Sequence, residues 1–408
     1  MITYSPSEVQ AFVCGAVDAE VVDGVLRIHR IGRRWRAQIP TGYARMVEEQ
    51  AAGVRLEFLT SASRLVLRCL AYRSSMVKGV KVAASPFECE IDGQVTSRAF
   101  ARPAATMWVD ALSGNVETDG EPGEAVVSFD FGEAGVRRNV KIWLPYPEII
   151  RIRALEADAP LVPVQAGVGL CADGRPGSES GDGVVEPGRA AARPKRWVHY
   201  GSSISQGVFA RFPTATWPAA AARLTGLELT NLGFSGNAVL DSYAARTIAE
   251  LPADVISLEI GGNIVTTDAL TSRSFTPALH GFLDIVRDAH PDTPILLITA
   301  LASPLLDELP GPVVPDGKRF KTLGTPEDLT KGRLNQNRIR ELIVETANTR
   351  NDSNLTVVRG PELFSREDER EHPLIDALHP DRAGHELIAR RFAEKLAALY
   401  GDRLGVMQ

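Results

Sequence analysis

A serine, an aspartate and histidine three apart, an asparagine and several glycines stand along this chain in an order that suits acyl transfer. Trp197-Val198-His199-Tyr200-Gly201-Ser202-Ser203 is an apolar, aromatic run broken by a glycine and closed by two serines. Such a run reads as a buried strand, and open α/β sheets place their ligands at the carboxyl ends of parallel strands. Ser203 is the candidate nucleophile. A serine hydroxyl attacks only when a neighbouring base takes its proton. Asp376-Ala377-Leu378-His379-Pro380 offers that base. Three residues make about one turn, so the carboxylate reaches Nδ1 of His379 and leaves Nε2 for the serine. Pro380 removes a backbone donor and stiffens the loop.

An attacked ester also needs donors aimed at its developing oxyanion. Gly233-Phe234-Ser235-Gly236-Asn237 and Gly261-Gly262-Asn263 close two further apolar runs. The backbone N–H groups of Ser203 and Gly236 and the side-chain amide of Asn263 can supply three donors. Glycine at 236 lets the backbone approach a substrate with no Cβ in the way. Singly, each signal has a bland reading: a structural serine, a turn, a helix cap, a solvated loop. Together and in this order they make a catalytic set. His372, with Asp368 four residues before it, competes with His379, but Arg366–Glu371 reads as a solvated charge run. His199 lies inside a strand and reads as a packed or supporting residue. Ser202 points away from Ser203 if the strand continues, and Ser205 and Ser235 read as loop-bracing hydroxyls.

The elements that must hold these residues alternate in period. Strands are expected at 196–200, 227–232, 254–260, 294–301 and 355–359, and helices at 214–224, 239–251, 276–290, 329–349 and 384–400. Five buried strands alternating with helices predict a parallel five-stranded sheet covered on both faces. The stretch from Ser303 to Pro326 is long for a loop and rich in proline; it reads equally as a lid over the carboxyl edge or as a solvated insertion.

Before about residue 166 the pattern is different. Short alternating runs at 26–31, 54–59, 65–70, 80–84, 87–91, 125–131, 140–144 and 150–155 predict an antiparallel all-β sandwich or jelly roll. Asp92-Gly93 is a hairpin turn, since both residues tolerate positive φ. His29 stands alone in a strand and reads as structural. Trp35, Trp108, Trp143 and Tyr146 are either packing residues or a sugar-stacking platform. Residues 172–195, dominated by Gly, Pro, Ser and charge, read as a linker or mobile loop. The expected organisation is therefore a β-domain over 1–171, a linker over 172–195 and a catalytic domain over 196–408.

Across about 196 to 400 these blocks resemble the SGNH hydrolases, also called GDSL esterases and lipases. Gly201-Ser202-Ser203-Ile204-Ser205 looks like the nucleophile block, Gly236 matches the glycine block, Asn263 the asparagine block, and Asp376 with His379 the final block. The resemblance implies a flavodoxin-like three-layer α/β/α fold and an acyl-enzyme mechanism without metal or cofactor. Ser202 and Ile264 stand where the family usually has aspartates, positions that brace the site more than they perform chemistry. The nucleophile is not in Gly-x-Ser-x-Gly, so the α/β-hydrolase elbow does not apply. The Gly-Ser-Ser-Ile and Asn-Leu-Gly-Phe-Ser-Gly-Asn sequences look like a subgroup with a β-domain ahead of the hydrolase domain. Carbohydrate esters enter as substrates by that analogy alone.

Composition bounds the rest. The 408 residues exceed one ordinary core, 44% are hydrophobic, and the net charge of −6 gives no basic field for nucleic acid. No run is apolar enough for a membrane span, and the N-terminus carries no basic segment followed by an apolar core, so a cytoplasmic protein is expected. Cys14, Cys69, Cys89 and Cys171 lack metal-ligand spacing and are expected as free thiols. Three functions fit: an esterase for small acyl esters of a small-molecule substrate, an acyltransferase using the same triad, and a glycan-binding protein on a dead scaffold.

Overall fold

Strict alternation builds the first half. In the strand Ala125–Asp130 every second residue is buried, and Val127 and Phe129 lie opposite Leu67 and Leu65 of the strand Arg64–Ser75. Because side chains alternate across a sheet, such strands offer one apolar face. Two such faces meet here. An eight-stranded and a six-stranded sheet enclose a core that includes Leu56, Phe58, Leu67, Val140, Ile142 and Ile152. Asp92 and Gly93 turn the hairpin between Phe87–Ile91 and Gln94–Ala99, both at positive φ. This computed structural model describes residues 1–110, 113–164 and 193–406. The expected linker lies outside the described residues except for its last three, as does Cys171. Cys14, Cys69 and Cys89 are free and buried, and burial pushes the Cys14 and Cys69 thiols up to about 11 and about 12.

The β-half departs from expectation in three places. Residues 80–84 form no strand, and Val80 and Val82 are exposed; among the described residues no strand pairs with them. One pair, Arg64–Ser75 with Ala105–Val109, is parallel in an otherwise antiparallel arrangement. A helix, Gly42–Glu49, interrupts the strands, its first turn capped by Thr41 Oγ1 accepting from the Ala44 N–H at 3.1 Å. Of the two readings of the aromatic residues, burial of Trp143 and Tyr146 favours packing for both.

In the second half, mostly apolar runs give strands buried on both faces. Val255–Ile260 and Ile295–Thr299 are buried at every residue. The five parallel strands, Arg196–Gly201, Glu228–Gly233, Val255–Ile260, Ile295–Thr299 and Leu355–Val358, lie in the order 2-1-3-4-5. Helices Ser242–Glu250, Ser272–Ala289 and Gln336–Arg350 pack over Val198, Tyr200, Ile256 and Leu258. Helices Trp217–Thr225 and Arg382–Leu404 pack over Trp197, Leu229, Val255 and Leu296 on the other side. The result is a three-layer α/β/α sandwich. One long helix was expected over 329–349; instead Pro326–Thr330 ends early and Gln336–Arg350 starts anew. Gly332 at φ +90° breaks the first, and Asn335 Oδ1 caps the second by accepting from the Arg338 N–H at 2.8 Å. Within 303–326 a hairpin forms, Val313–Asp316 against Arg319–Thr322.

Strand order reverses between the first and third strands, and the crevice of a doubly wound sheet opens at such a point. Gly201–Ser203 and Gly261–Asn263 leave those two strands, so the fold itself delivers them to one place. The β-half packs onto the same end: Ile31, Tyr43, Met46 and Leu70 share one core with Tyr200 and Phe234.

Candidate active site

Ser203 is the first residue of a single helical turn, Ser203–Gln206, that follows the first parallel strand. Ser202 caps this turn, its Oγ accepting from the Ile204 N–H at 3.3 Å. Gly207 ends it in the left-handed region at φ +114°. His379 reaches Ser203 from the loop before the last helix, with Nε2 2.8 Å from Oγ. Its Nδ1 lies 2.7 Å from Asp376 Oδ2. The other carboxylate oxygen, Oδ1, accepts from the backbone N–H groups of Leu378 at 3.0 Å and His379 at 2.9 Å. Asp376 thus folds its own loop with one oxygen and orients the imidazole with the other. Burial would raise its pKa, yet the His379 imidazole and the two backbone donors hold it below the ordinary aspartate value. Phe209 and Phe320 stand edge-on to the imidazole, with centroids 5.9 and 6.5 Å away. The Phe320 N–H also donates to the Asp376 carbonyl at 2.9 Å, so the hairpin is tied directly to the site.

The three expected oxyanion donors converge on the same cavity, of about 420 Å³. The first N–H groups of a helix have no intrahelical acceptor, which leaves that of Ser203 open. Asn263 Oδ1 accepts from the Ala238 N–H at 3.2 Å, and this turns its amide nitrogen toward the cavity. Gly236 sits at φ +69° with the Tyr43 hydroxyl packed against it; a Cβ there would lie 2.9 Å from that oxygen. The loop is pinned by the Ser235 N–H donating to Gln206 Oε1 at 2.8 Å.

The remaining sequence candidates fall outside the row. His372 ends a short helix, and Asp368 is held by Arg391 and Ser365. His199 is fully buried between Ser205 and Ser257, 2.7 Å from each hydroxyl. Burial pulls its imidazole down to about 3, so it is neutral. His29 is buried beside Glu48, 2.8 Å away. Sequence reasoning missed Glu259, whose carboxylate lies beneath the nucleophile turn, and Tyr43 and Arg30, which reach the site from the β-half. The only available signal for Glu259 is one acidic residue in an otherwise apolar strand. Among the described residues no group of three or more His, Cys, Asp and Glu side chains is placed to hold a metal ion, and no helix is long and apolar enough to cross a membrane.

Residues 194–305 match the GDSL-like lipase/acylhydrolase family. The matched segment holds Ser203, Gly236 and Asn263 and ends before Asp376 and His379. The match marks the chain as an enzyme of the carboxylic ester hydrolase class. No curated protein is similar enough to be matched. Among solved structures, the salicylyl-acyltransferase SsfX3 from a tetracycline biosynthetic pathway is 25% identical, with 99% of this chain and 98% of that chain covered and a TM-score of 0.75. A GDSL-like lipase candidate from Bacteroides ovatus is 19% identical over 99% and 98%, with a TM-score of 0.63. A family two carbohydrate esterase from Cellvibrio japonicus is 13% identical over 97% of each chain, with a TM-score of 0.53. The last two show the shared fold: a β-rich half followed by the GDSL-like α/β half.

Proposed function

We propose that Ser203, His379 and Asp376 are a catalytic triad and that the protein is a serine esterase working through an acyl-enzyme. The unbroken row Ser203 Oγ–His379 Nε2 and His379 Nδ1–Asp376 Oδ2, at 2.8 and 2.7 Å, carries this reading. Ser203 Oγ attacks the ester carbonyl while His379 Nε2 takes its proton. The C–O bond to the alcohol then breaks, and the leaving oxygen receives that proton from Nε2. Water repeats the sequence on the acyl-enzyme and releases the acid. The Ser203 and Gly236 N–H groups and the Asn263 amide hold the oxyanion in both halves. The cavity exceeds the needs of an acetyl group and is walled by Met76, Val239, Leu301, Val313, Phe320 and Leu378. That lining favours an ester whose larger half is substantially apolar, such as a glycoside with an apolar aglycone, over a bare sugar ester.

Transfer of the acyl group to an alcohol or amine is the second reading. The similarity to an acyltransferase over nearly the whole chain favours it, as do the β-half and hairpin that wall the cavity and limit water. The triad serves either outcome. Ser203→Ala is expected to abolish p-nitrophenyl acetate turnover and fluorophosphonate labelling with the fold intact; retained turnover removes Ser203 from the mechanism. The ratio of acid to new ester with competing acceptor alcohols then separates hydrolysis from transfer.

A further inference from the structure

The third parallel strand carries one carboxylate, Glu259, and it is almost fully buried. Among the described residues no cation contributes to its environment, and hydrogen bonds alone oppose the burial that pushes its pKa up. A buried charge without a counter-ion costs several kcal/mol unless donors satisfy it. The donors that do so flank the nucleophile. Glu259 Oε2 accepts from the Ser202 N–H at 2.7 Å and from the Ser205 hydroxyl at 3.2 Å, and the Ser202 hydroxyl also bonds the carboxylate.

From this one acceptor the protons of a buried chain can be ordered. Glu259 Oε2 accepts from the Ser202 N–H, and Ser205 Oγ–H donates to the same oxygen. Ser205 Oγ, 2.7 Å from His199 Nε2, therefore accepts from it. His199 is neutral and spends its single proton there, so Nδ1 accepts from the Ser257 hydroxyl at 2.7 Å. Ser257 in turn accepts from Trp197 Nε1, also at 2.7 Å, which can only donate. Every donor from Trp197 to Glu259 is used once and in one direction.

The same carboxylate shapes the backbone. A Cβ at Gly201 would lie 2.9 Å from Glu259 Oε2 and closer still to Ser205 Oγ, so glycine is required for this approach. The Ser202 carbonyl accepts from the Gln206 N–H at 2.9 Å and points along the helical turn. A trans peptide sets N–H opposite C=O, so the Ser203 N–H points out of the turn, toward the cavity.

We propose that Glu259 is a positioning residue that aims the oxyanion-binding N–H of Ser203, by holding the Ser202 N–H and the Ser205 hydroxyl on either side of the nucleophile. The proposal rests on Ser203 being the nucleophile. Its test uses Glu259→Met and Glu259→Gln in the full chain, with Ser203→Ala alongside. Methionine removes the acceptor while filling the space. kcat on p-nitrophenyl acetate is expected to fall about 100-fold, the loss typical of one oxyanion donor. KM should stay within about twofold, and the melting temperature should fall modestly because the Ser202 N–H and the Ser205 hydroxyl lose their acceptor. Glutamine keeps one oxygen for the Ser202 N–H, so kcat should recover to within about tenfold of the parent.

Its NH₂ takes the Oε1 position, and the oxygen kept at Oε2 still serves the Ser205 hydroxyl as well as the Ser202 N–H. ¹⁵N shifts of His199 should therefore keep the Nε2–H tautomer in Glu259→Gln and switch to the Nδ1–H tautomer in Glu259→Met, where the Ser205 hydroxyl has lost its acceptor and donates to His199 Nε2 instead, a split that simple packing would not produce. A Glu259→Met enzyme with kcat within threefold of the parent overturns the proposal, as does a glutamine variant no faster than a folded methionine variant. Should Glu259→Met fail to fold, glutamine decides: kcat within tenfold and an unchanged His199 tautomer support the proposal, while a hundredfold loss overturns it. Activity surviving in Ser203→Ala defeats the nucleophile assignment itself, a result separate from all of these.

Discussion

Asp376→Asn tests the triad at the atom that decides it. The substitution keeps size and shape but leaves one acceptor oxygen where there were two. In the native loop Oδ1 serves the Leu378 and His379 N–H groups, at 3.0 and 2.9 Å, and Oδ2 serves His379 Nδ1 at 2.7 Å. The asparagine oxygen must take the Oδ1 position, because the alternative sets an NH₂ group against two backbone donors. Its NH₂ then faces Nδ1, which has to accept. The imidazole adopts the Nε2–H tautomer and presents a proton to Ser203 Oγ, 2.8 Å away, where it should present a lone pair. General-base catalysis is lost while the oxyanion donors remain. A wrong tautomer of this kind costs about 10⁴-fold in kcat, or about 5.5 kcal/mol of transition-state stabilisation. The assay is steady-state kcat and KM on p-nitrophenyl acetate, with fluorophosphonate labelling rates as a second measure of Ser203 nucleophilicity. KM should change little. A variant that folds and keeps kcat within tenfold of the parent refutes the assignment of Asp376 as the orienting acid.

Two further outcomes follow from the buried groups. The folded protein holds His199 and His385 neutral, with burial pulling them down to about 3 and about 4 from 6.5. Their contribution to stability is fully present above pH 6.5 and is lost as pH falls toward those folded values; at pH 5 each costs about 2 kcal/mol. Glu259, raised by burial, acts in the opposite sense, so the clean measurement is a difference. Urea unfolding at pH 7.5 and 5 should show a drop about 2 kcal/mol smaller in His385→Gln than in the parent, and equal drops would refute it. Gly236→Ala places a Cβ 2.9 Å from the Tyr43 hydroxyl at φ +69°, which should displace an oxyanion donor and lower kcat roughly 10- to 100-fold. Adding Tyr43→Ala should restore part of that loss; no loss in the single variant would remove Gly236 from the oxyanion site.

What the sequence made legible is what local pattern encodes. Strand ends carrying Gly-Ser-Ser, Gly-Phe-Ser-Gly-Asn and Gly-Gly-Asn are visible because apolar runs stop at them, and the sheet topology then converges them. Asp376 and His379 are readable because three residues fix their mutual reach. The misses have another origin. The Gly42–Glu49 helix is short, and its apolar residues Tyr43, Met46 and Val47 gain meaning only against the α/β half. The break before Gln336 depends on Gly332 and the Asn335 cap overriding good helical periodicity on both sides. The run at 80–84 has strand composition but no partner, and composition alone does not supply one. Glu259 cannot be assigned from its strand, because its acceptor role is set by backbone donors 57 residues earlier in the chain.

The hydrogen bonds around the site also decide what the β-half is for. Arg30 is fully buried and donates to the carbonyls of Gln50 at 2.6 Å, Val47 at 2.5 Å, Asn231 at 3.2 Å and Gly233 at 2.6 Å. Its guanidinium lies over Phe234, 4.9 Å from the ring centroid. Asn231 uses its side chain to bind the Ser205 carbonyl and the Gly233 N–H. Gln206, which holds Ser235, is itself held by Gln50 at 2.6 Å. The nucleophile turn, the oxyanion loop and the β-half are therefore one bonded unit, and removing the β-half would strand buried donors and acceptors on all three. A module that merely tethers the enzyme to a ligand has no need of such bonds. Thr41, Tyr43 and Met76 line the cavity itself. Substitutions at positions 41 and 76 can thus alter which ester fits while the proposed triad, carried wholly by the α/β half, keeps its geometry.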